Sequence, residues 1–149
     1  MIISTQNIEN VRKEILKAKK ENVSPIIIQA RSNEFNRKIL ESGKFDILLS
    51  IEFGDKKDNL REIDSGLNHV LAEIASKNNV SIGIDLEKIK NLDKKQKAKI
   101  LNKVKQNIFL CKKSKTNIKV INSKDKIDSF NFLISLGADT KQSKQAIDF

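Results

Sequence analysis

The chain has 149 residues, 29 Lys and Arg against 19 Asp and Glu, and a formal net charge of +10. At 38% hydrophobic it is too apolar for a disordered chain of this charge, and its five Gly and one Pro exclude collagen-like or loop-dominated folds. One cysteine, Cys111, excludes a disulfide framework and a cysteine-based structural zinc site, and one histidine, His69, excludes every multi-histidine metal site.

The length suits a single domain over residues 1–149 with a real core. Nowhere does an apolar run approach the roughly 20 residues that a bilayer span needs, so no membrane association is expected. Met1–Thr5 shows no basic start and no long apolar run, so it does not read as a signal peptide; with the lone cysteine this points to a cytoplasmic protein.

In chain order, Met1–Ile3 is a short apolar run. Ser4 or Thr5 can cap a helix over about 6–22, which sets Ile8, Val11, Ile15 and Ala18 on one face. Pro25 opens the β-branched run Ile26–Ala30, a buried strand. Ser32 can cap a helix carrying Phe35, Ile39 and Leu40 that ends near Gly43. Asp46–Ile51 is the next strand. Glu52–Asp64 is polar and reads as a long loop. Asp64 or Ser65 can cap a helix with Leu67, Val70, Leu71, Ile74 and Ala75 inward. Val80–Asp85 is a strand, and the longest helix covers about 93–115. Asn117–Asn122 is a strand. Ile127–Leu136 is a helix stopped by Gly137, and Thr140–Asp148 is a last short helix.

Strands and helices thus alternate five times, which specifies an α/β architecture with mainly parallel strands. A closed eight-stranded barrel typically takes about 250 residues. About five βα units fit an open sheet or a partial, TIM-barrel-like one.

The charge is uneven. Residues 1–93 hold 15 basic and 15 acidic side chains, while residues 94–149 hold 14 basic and 4 acidic. A surplus confined to the last third suggests a face that meets a polyanion: nucleic acid, an acidic membrane or an acidic protein. The cations are mostly Lys, with Arg only at 12, 31, 37 and 61, which favours phosphate contact over base reading. A solvated lysine-rich surface is the plain alternative.

On the longest helix, Ile100, Leu101, Val104, Ile108 and Cys111 form the stripe that faces the sheet. Lys95, Lys99, Asn102, Gln106 and Lys113 lie opposite, with Lys103 beside them, a face able to lie along phosphates. Phe109 also points away from the stripe; packing against a neighbouring helix is the ordinary outcome for such a ring. Catalytic constellations are weak. Ser65 and His69 lie one helical turn apart beside Asp64, but no third group orients the base. Cys111 on the apolar stripe reads as a small buried hydrophobe. Asp85 and Glu87 stand at a strand end without ligand spacing, and the five glycines are isolated, so no phosphate loop exists.

Two blocks carry a family resemblance. Asp64-Ser65-Gly66-Leu67-Asn68-His69-Val70-Leu71 resembles the D-S-G-L-N-H-V-L signature of ribonuclease P protein component 3, a protein of archaea and eukaryotes. That family continues with a strand, a helix bearing Q-N-x-x-L-C-[KR]-[KR], and another strand. Here Gln106-Asn107-Ile108-Phe109-Leu110-Cys111-Lys112-Lys113 stands at that place, and the similarity runs from about Asp46 to Ile147.

The resemblance implies a TIM-barrel-like fold related to metal-dependent phosphoesterases but lacking their metal ligands. It implies a non-catalytic subunit of ribonuclease P, whose RNA subunit removes the 5′ leader of precursor tRNA. Expected partners are that RNA, protein component 2 in a dimer of heterodimers, and the other ribonuclease P proteins, with precursor tRNA contacted indirectly. No cofactor is expected on this chain; Mg²⁺ is expected on the RNA. By motif position Gln106, Asn107, Lys112 and Lys113 carry over from one block, and Asn68 and His69 from the other. With the basic residues Lys95, Lys99, Lys103 and Arg61 they make up the expected RNA-binding set. Three departures stand out. The family's extra N-terminal barrel portion, with a D-x-H-like stretch, has no match here. Phe109 replaces a common basic residue, and Asn122–Lys126 lacks the usual Ala and Pro marks. Two rival classes follow. One is a truncated metal-dependent phosphoesterase, which a single His disfavours. The other is a generic basic RNA- or DNA-binding α/β module.

Overall fold

A computed structural model of the chain describes residues 1–54 and 63–148. Five strands form one sheet: β1 (Ile2–Ile3), β2 (Ile27–Gln29), β3 (Ile47–Leu49), β4 (Ser81–Asp85) and β5 (Ile118–Ile121). All neighbouring pairs are parallel and their spatial order is the chain order. The connections carry α1 (Ile8–Lys20), α2 (Asn33–Ser42), α3 (His69–Lys77), α4 (Leu86–Lys90) and α5 (Lys94–Ser114). Past β5 come α6 (Lys126–Ser135) and α7 (Thr140–Ile147).

Sequential order has a physical consequence. Right-handed crossovers that never reverse direction place every helix on one face of the sheet, so the sheet curls as in a barrel. The packing agrees. Ile3, Ile28, Leu48, Ile82, Ile84, Ile118 and Val120 join the main core with the helices. The opposite pleat positions Ile27, Ile47 and Leu49 form a separate small cluster with Ile121 on the concave face. Gly83 belongs there, since a Cβ on it would come within 2.6 Å of Ile47 Cγ2. The architecture is therefore an α/β partial barrel, with β1 and β5 as edges among the described residues.

Local signals explain the elements. On α1, Val11, Ile15 and Ala18 are buried, as the helical spacing predicts. Its cap, however, is Asn7, which accepts the N–H groups of Glu9 and Asn10, rather than Ser4 or Thr5. Ser32 caps α2 and Gly43 ends it at φ 58°, both as expected. The cap of α3 is Asn68 rather than Asp64 or Ser65, so the helix starts later. Leu67 is consequently buried ahead of the helix, and Val70 is exposed rather than inward. A short helix that the apolar pattern does not signal, α4, follows directly from Asp85, whose carboxylate accepts the Lys88 N–H. The sequence-read strand to Ile51 ends at Leu49 and gives way to a 3₁₀ turn over Ile51–Phe53. The expected long loop falls largely on residues 55–62, outside the described residues.

Candidate functional site

The α5 helix carries eight lysines and no carboxylate in 21 residues. Asp93 caps it by accepting the Gln96 N–H at 2.8 Å, and Lys115 ends it in the left-handed region at φ 58°. Few favourable i,i+4 pairs support such a helix, so its position depends on packing. Ile100, Val104, Ile108 and Cys111 are buried in the main core, with α5 packed on α3. Burial pushes the Cys111 thiol up to about 12, so it is a neutral packing group rather than a nucleophile.

The buried arc is wider than the apolar stripe. Lys103 and Asn107 are only 8% and 4% exposed. The turn at Ile51–Phe53 also packs on α5. Asn107 Nδ2 donates to the carbonyl of Ser65 at 3.3 Å, and its Oδ1 is buried without a partner. The two motif blocks, 42 residues apart in sequence, meet at this bond.

The first block forms a built turn. Asp64 Oδ1 accepts the Gly66 N–H at 3.0 Å, and the buried Ser65 hydroxyl donates to the Leu67 carbonyl at 3.2 Å. Gly66 sits at φ +79°, and a Cβ on it would stand 2.3 Å from the Ile51 carbonyl oxygen. Only glycine fits both demands. Asn68 then caps α3, accepting the Leu71 N–H at 2.9 Å. His69 is the first residue of α3 and is exposed. Ser65 is committed to Leu67, so it forms no Ser–His relay with it.

Beneath the turn lies Glu52, 1% exposed, with Oε1 lacking a partner. Desolvation raises its carboxyl to about 7. Sequence reading missed Glu52 because a lone acid in a polar stretch carries no sign of burial.

The outward face of α5 differs. Lys95, Lys99, Asn102, Phe109 and Lys113 are exposed and Gln106 is half-buried. Their spacing alternates between four and three residues, which aligns them in one ridge roughly 27 Å long from the first Lys to the last. Phe109 is 58% exposed, contrary to the expectation that it packs against a neighbouring helix. Lys113 Nζ lies 5.1 Å from its ring centroid, a weak cation–π contact. Beside the ridge, Lys112 Nζ is 3.6 Å from Asp139 Oδ2, so its charge is partly shared. The Asp139 carboxyl lies below its usual range, first through the Gln142 N–H and then through Lys112.

The structure therefore divides the sequence-read set. Lys95, Lys99, Gln106, Lys112 and Lys113 lie on the solvent side of α5 with His69 exposed elsewhere. Lys103 and Asn107 belong to the buried flank, and Asn68 is occupied as a cap. Arg61 lies outside the described residues. Among the described residues, no group of three or more His, Cys, Asp or Glu is placed to hold a metal ion, and no helix is long and apolar enough to cross a membrane.

No family model matches the chain. Among curated proteins, ribonuclease P protein component 3 of Methanococcus vannielii is 33% identical over 112 residues, 75% of this chain and 46% of that protein. The Methanocaldococcus jannaschii protein of the same name is 31% identical over 111 residues, 74% of this chain and 44% of its own length. This chain thus spans about half the length of the curated relatives it matches. A chain in the cryo-EM structure of archaeal ribonuclease P with mature tRNA superimposes with a TM-score of 0.80 at 26% identity, covering 99% of this chain and 63% of that one. An uncharacterised crystal structure shares the fold alone, with a TM-score of 0.62 at 8% identity over 95% of this chain.

Proposed function

We propose that this chain, a relative of ribonuclease P protein component 3 across three quarters of its length, is a non-catalytic protein subunit of ribonuclease P. Its work is electrostatic. The α5 ridge lies along the phosphates of the ribonuclease P RNA and reduces their mutual repulsion. This helps the RNA hold the fold that removes the 5′ leader from precursor tRNA. The partners on this reading are that RNA, component 2 and the other ribonuclease P proteins, with precursor tRNA reached through the RNA. Mg²⁺ sits on the RNA and the chain itself binds no cofactor. Residues 1–149 act as one domain in the cytoplasm.

The observation that carries the reading is the ridge itself. Lys95, Lys99 and Lys113 are exposed on a helix with no carboxylate, while the buried apolar residues of α5 lie on its other side. Asn102 and Gln106 add neutral hydrogen-bonding groups between the charges. Lys is suited to phosphates in this setting because a mobile ammonium needs no fixed geometry.

The test is the salt dependence of binding to ribonuclease P RNA. Each neutralised phosphate contributes a slope of about −0.9 on duplex and about −0.7 on single strands in log K against log salt. Replacing Lys95, Lys99 and Lys113 together by Ala is expected to flatten the slope by roughly two to three. Lys103 is unsuitable for this set because it is buried. An unchanged slope sinks the ridge as the RNA face, and equal competition by duplex DNA moves the chain to the generic binding class.

A further inference from the structure

A cavity of about 710 Å³ opens at the C-terminal ends of the central strands, on a different edge from the α5 ridge. Loops at this edge of a parallel sheet are where ligand sites form in α/β folds. Its lining includes Gln6, Gln29, Arg31, Ser50, Phe53 and Lys88, and among the described residues it contains no carboxylate.

Two of these residues hold a buried polar atom without a partner. Arg31 follows β2; its Nη2 donates to the Ser4 carbonyl, but its Nε is buried without a partner. Ser50 follows β3, is 2% exposed, and holds a hydroxyl with no hydrogen-bond partner. Its backbone is left-handed, at φ 60° and ψ 43°. Buried polar groups of native proteins are almost always paired, and strained backbone clusters at sites of function. The unpaired groups therefore mark a place that a ligand completes.

The chemistry of the lining selects the ligand. A guanidinium and an ammonium offer donors only. The N-terminus of the ten-residue α2 opens onto the same cavity, where first-turn amides lack intrahelical acceptors. Lys88 Nζ sits over the Phe53 ring at 4.1 Å, and its charge also acts on the buried Glu52 carboxyl. Donors converging from β2, β3, α2 and α4 match an oxyanion with several acceptor oxygens and more than one negative charge. The volume exceeds the need of a carboxylate and suits a ligand of nucleotide size.

We infer that this cavity binds a phosphomonoester, held between Arg31, the N-terminus of α2, Ser50 and Lys88. The inference goes beyond the RNA-subunit reading and shares no residue with the ridge. The group has two sources, a free nucleotide or a 5′-phosphorylated RNA end.

The experiment is an amide NMR titration of the full chain at constant ionic strength. The probes are inorganic phosphate and uridine 5′-monophosphate, with uridine as control. Saturable shifts at Asn33 and Ser50 with both phosphates, and none with uridine, are expected. Arg31→Met is expected to weaken binding about tenfold, the scale of one charge-assisted hydrogen bond. Ser50→Gly removes the hydroxyl and relaxes the backbone, and Lys88→Met removes an exposed charge. These two report on the site even if the Arg31 variant misfolds. A short RNA that binds more tightly with a 5′-phosphate than with a 5′-hydroxyl identifies an RNA end as the source. Equal binding of the two RNAs, with uridine 5′-monophosphate still saturating, identifies the free nucleotide. No saturation, equal shifts from uridine, or affinities unmoved by all three substitutions overturns the site. The Lys95, Lys99 and Lys113 triple variant should bind the phosphate normally, so failure here and failure of the ridge are separate results.

Discussion

The two sides of α5 are built from the same kinds of residue and do different things. On one flank, Lys103 and Asn107 are buried, and Asn107 ties the helix to the Ser65 carbonyl. On the outward ridge, Lys95, Lys99, Asn102 and Lys113 are exposed, and Lys113 lies over the Phe109 ring. Chemistry does not separate a buried Lys or Asn from an exposed one; a neighbouring turn does. The comparison teaches that one motif block serves two ends: Asn107 ties it to the Ser65 turn, while Gln106 and Lys113 of the same block stand on the outward ridge to which the proposed binding is assigned. Stability should therefore respond to the flank, and salt-dependent binding to the ridge.

Substitutions can break that division, and the flank turn should be the most sensitive. Gly66→Ala forces a Cβ to 2.3 Å from the Ile51 carbonyl at a left-handed φ. It is expected to cost about 2–4 kcal/mol in urea unfolding. A change below about 0.5 kcal/mol, the level of an ordinary surface substitution, would mean that the turn does not hold α5.

Glu52 gives the flank a pH signature. Its carboxyl is raised from 4.5 to about 7 by desolvation. A carboxyl raised on folding binds its proton more tightly in the folded state. Its contribution is complete below about pH 4.5 and is lost as pH rises through about 7. The loss is of the order of 3 kcal/mol. Glu52→Gln should flatten the stability profile across that window, as read by denaturant midpoints at several pH values.

Asn107→Ala comes next. It removes one buried hydrogen bond and leaves the Ser65 carbonyl unpaired, for about 1–2 kcal/mol. Its salt slope for RNA should stay at the wild-type value, and a flattened slope would place Asn107 at the RNA instead.

The ridge should show the smallest stability effects. Phe109→Ala, at a ring 58% exposed, is expected to stay within about 0.5 kcal/mol of wild type. If the ring stacks on a base, the same variant weakens RNA binding by about 1–3 kcal/mol in titration. No loss would leave Phe109 as a support for Lys113 alone.

Much of this was legible beforehand, for reasons that differ by element. The run Ile26–Ile28 announced a strand because it is apolar on both pleats, as a strand covered on two faces must be, and Val80, Ile82 and Ile84 announced another by alternating with the small Ser81 and Gly83. The alternation of strand and helix announced the α/β class, and the two motif blocks carried the resemblance that the similar proteins share. Caps were less legible. Ser4, Thr5 and Asn7 can each accept a first-turn amide, as can Asp64, Ser65 and Asn68. The choice fell to Asn7 and Asn68. At α3 the reason is visible: Asp64 and Ser65 are already spent on the turn around Gly66.

What the amino-acid sequence determined by itself is local or additive: periodicity, capping capacity, the charge surplus of residues 94–149 and the presence of both blocks. Those depend on neighbours along the chain, and covalent order supplies them. What only the tertiary structure decided is which side of a helix meets water. Lys103 is buried and Phe109 exposed on the same helix, and the Ile51–Phe53 turn and the Ser65 carbonyl are what the described residues place against α5 on the Asn107 side. The cavity between Arg31, Ser50 and Lys88 is of the same kind. Its groups come from the segments that follow three different strands, and only the parallel, sequential sheet brings those segments to one edge.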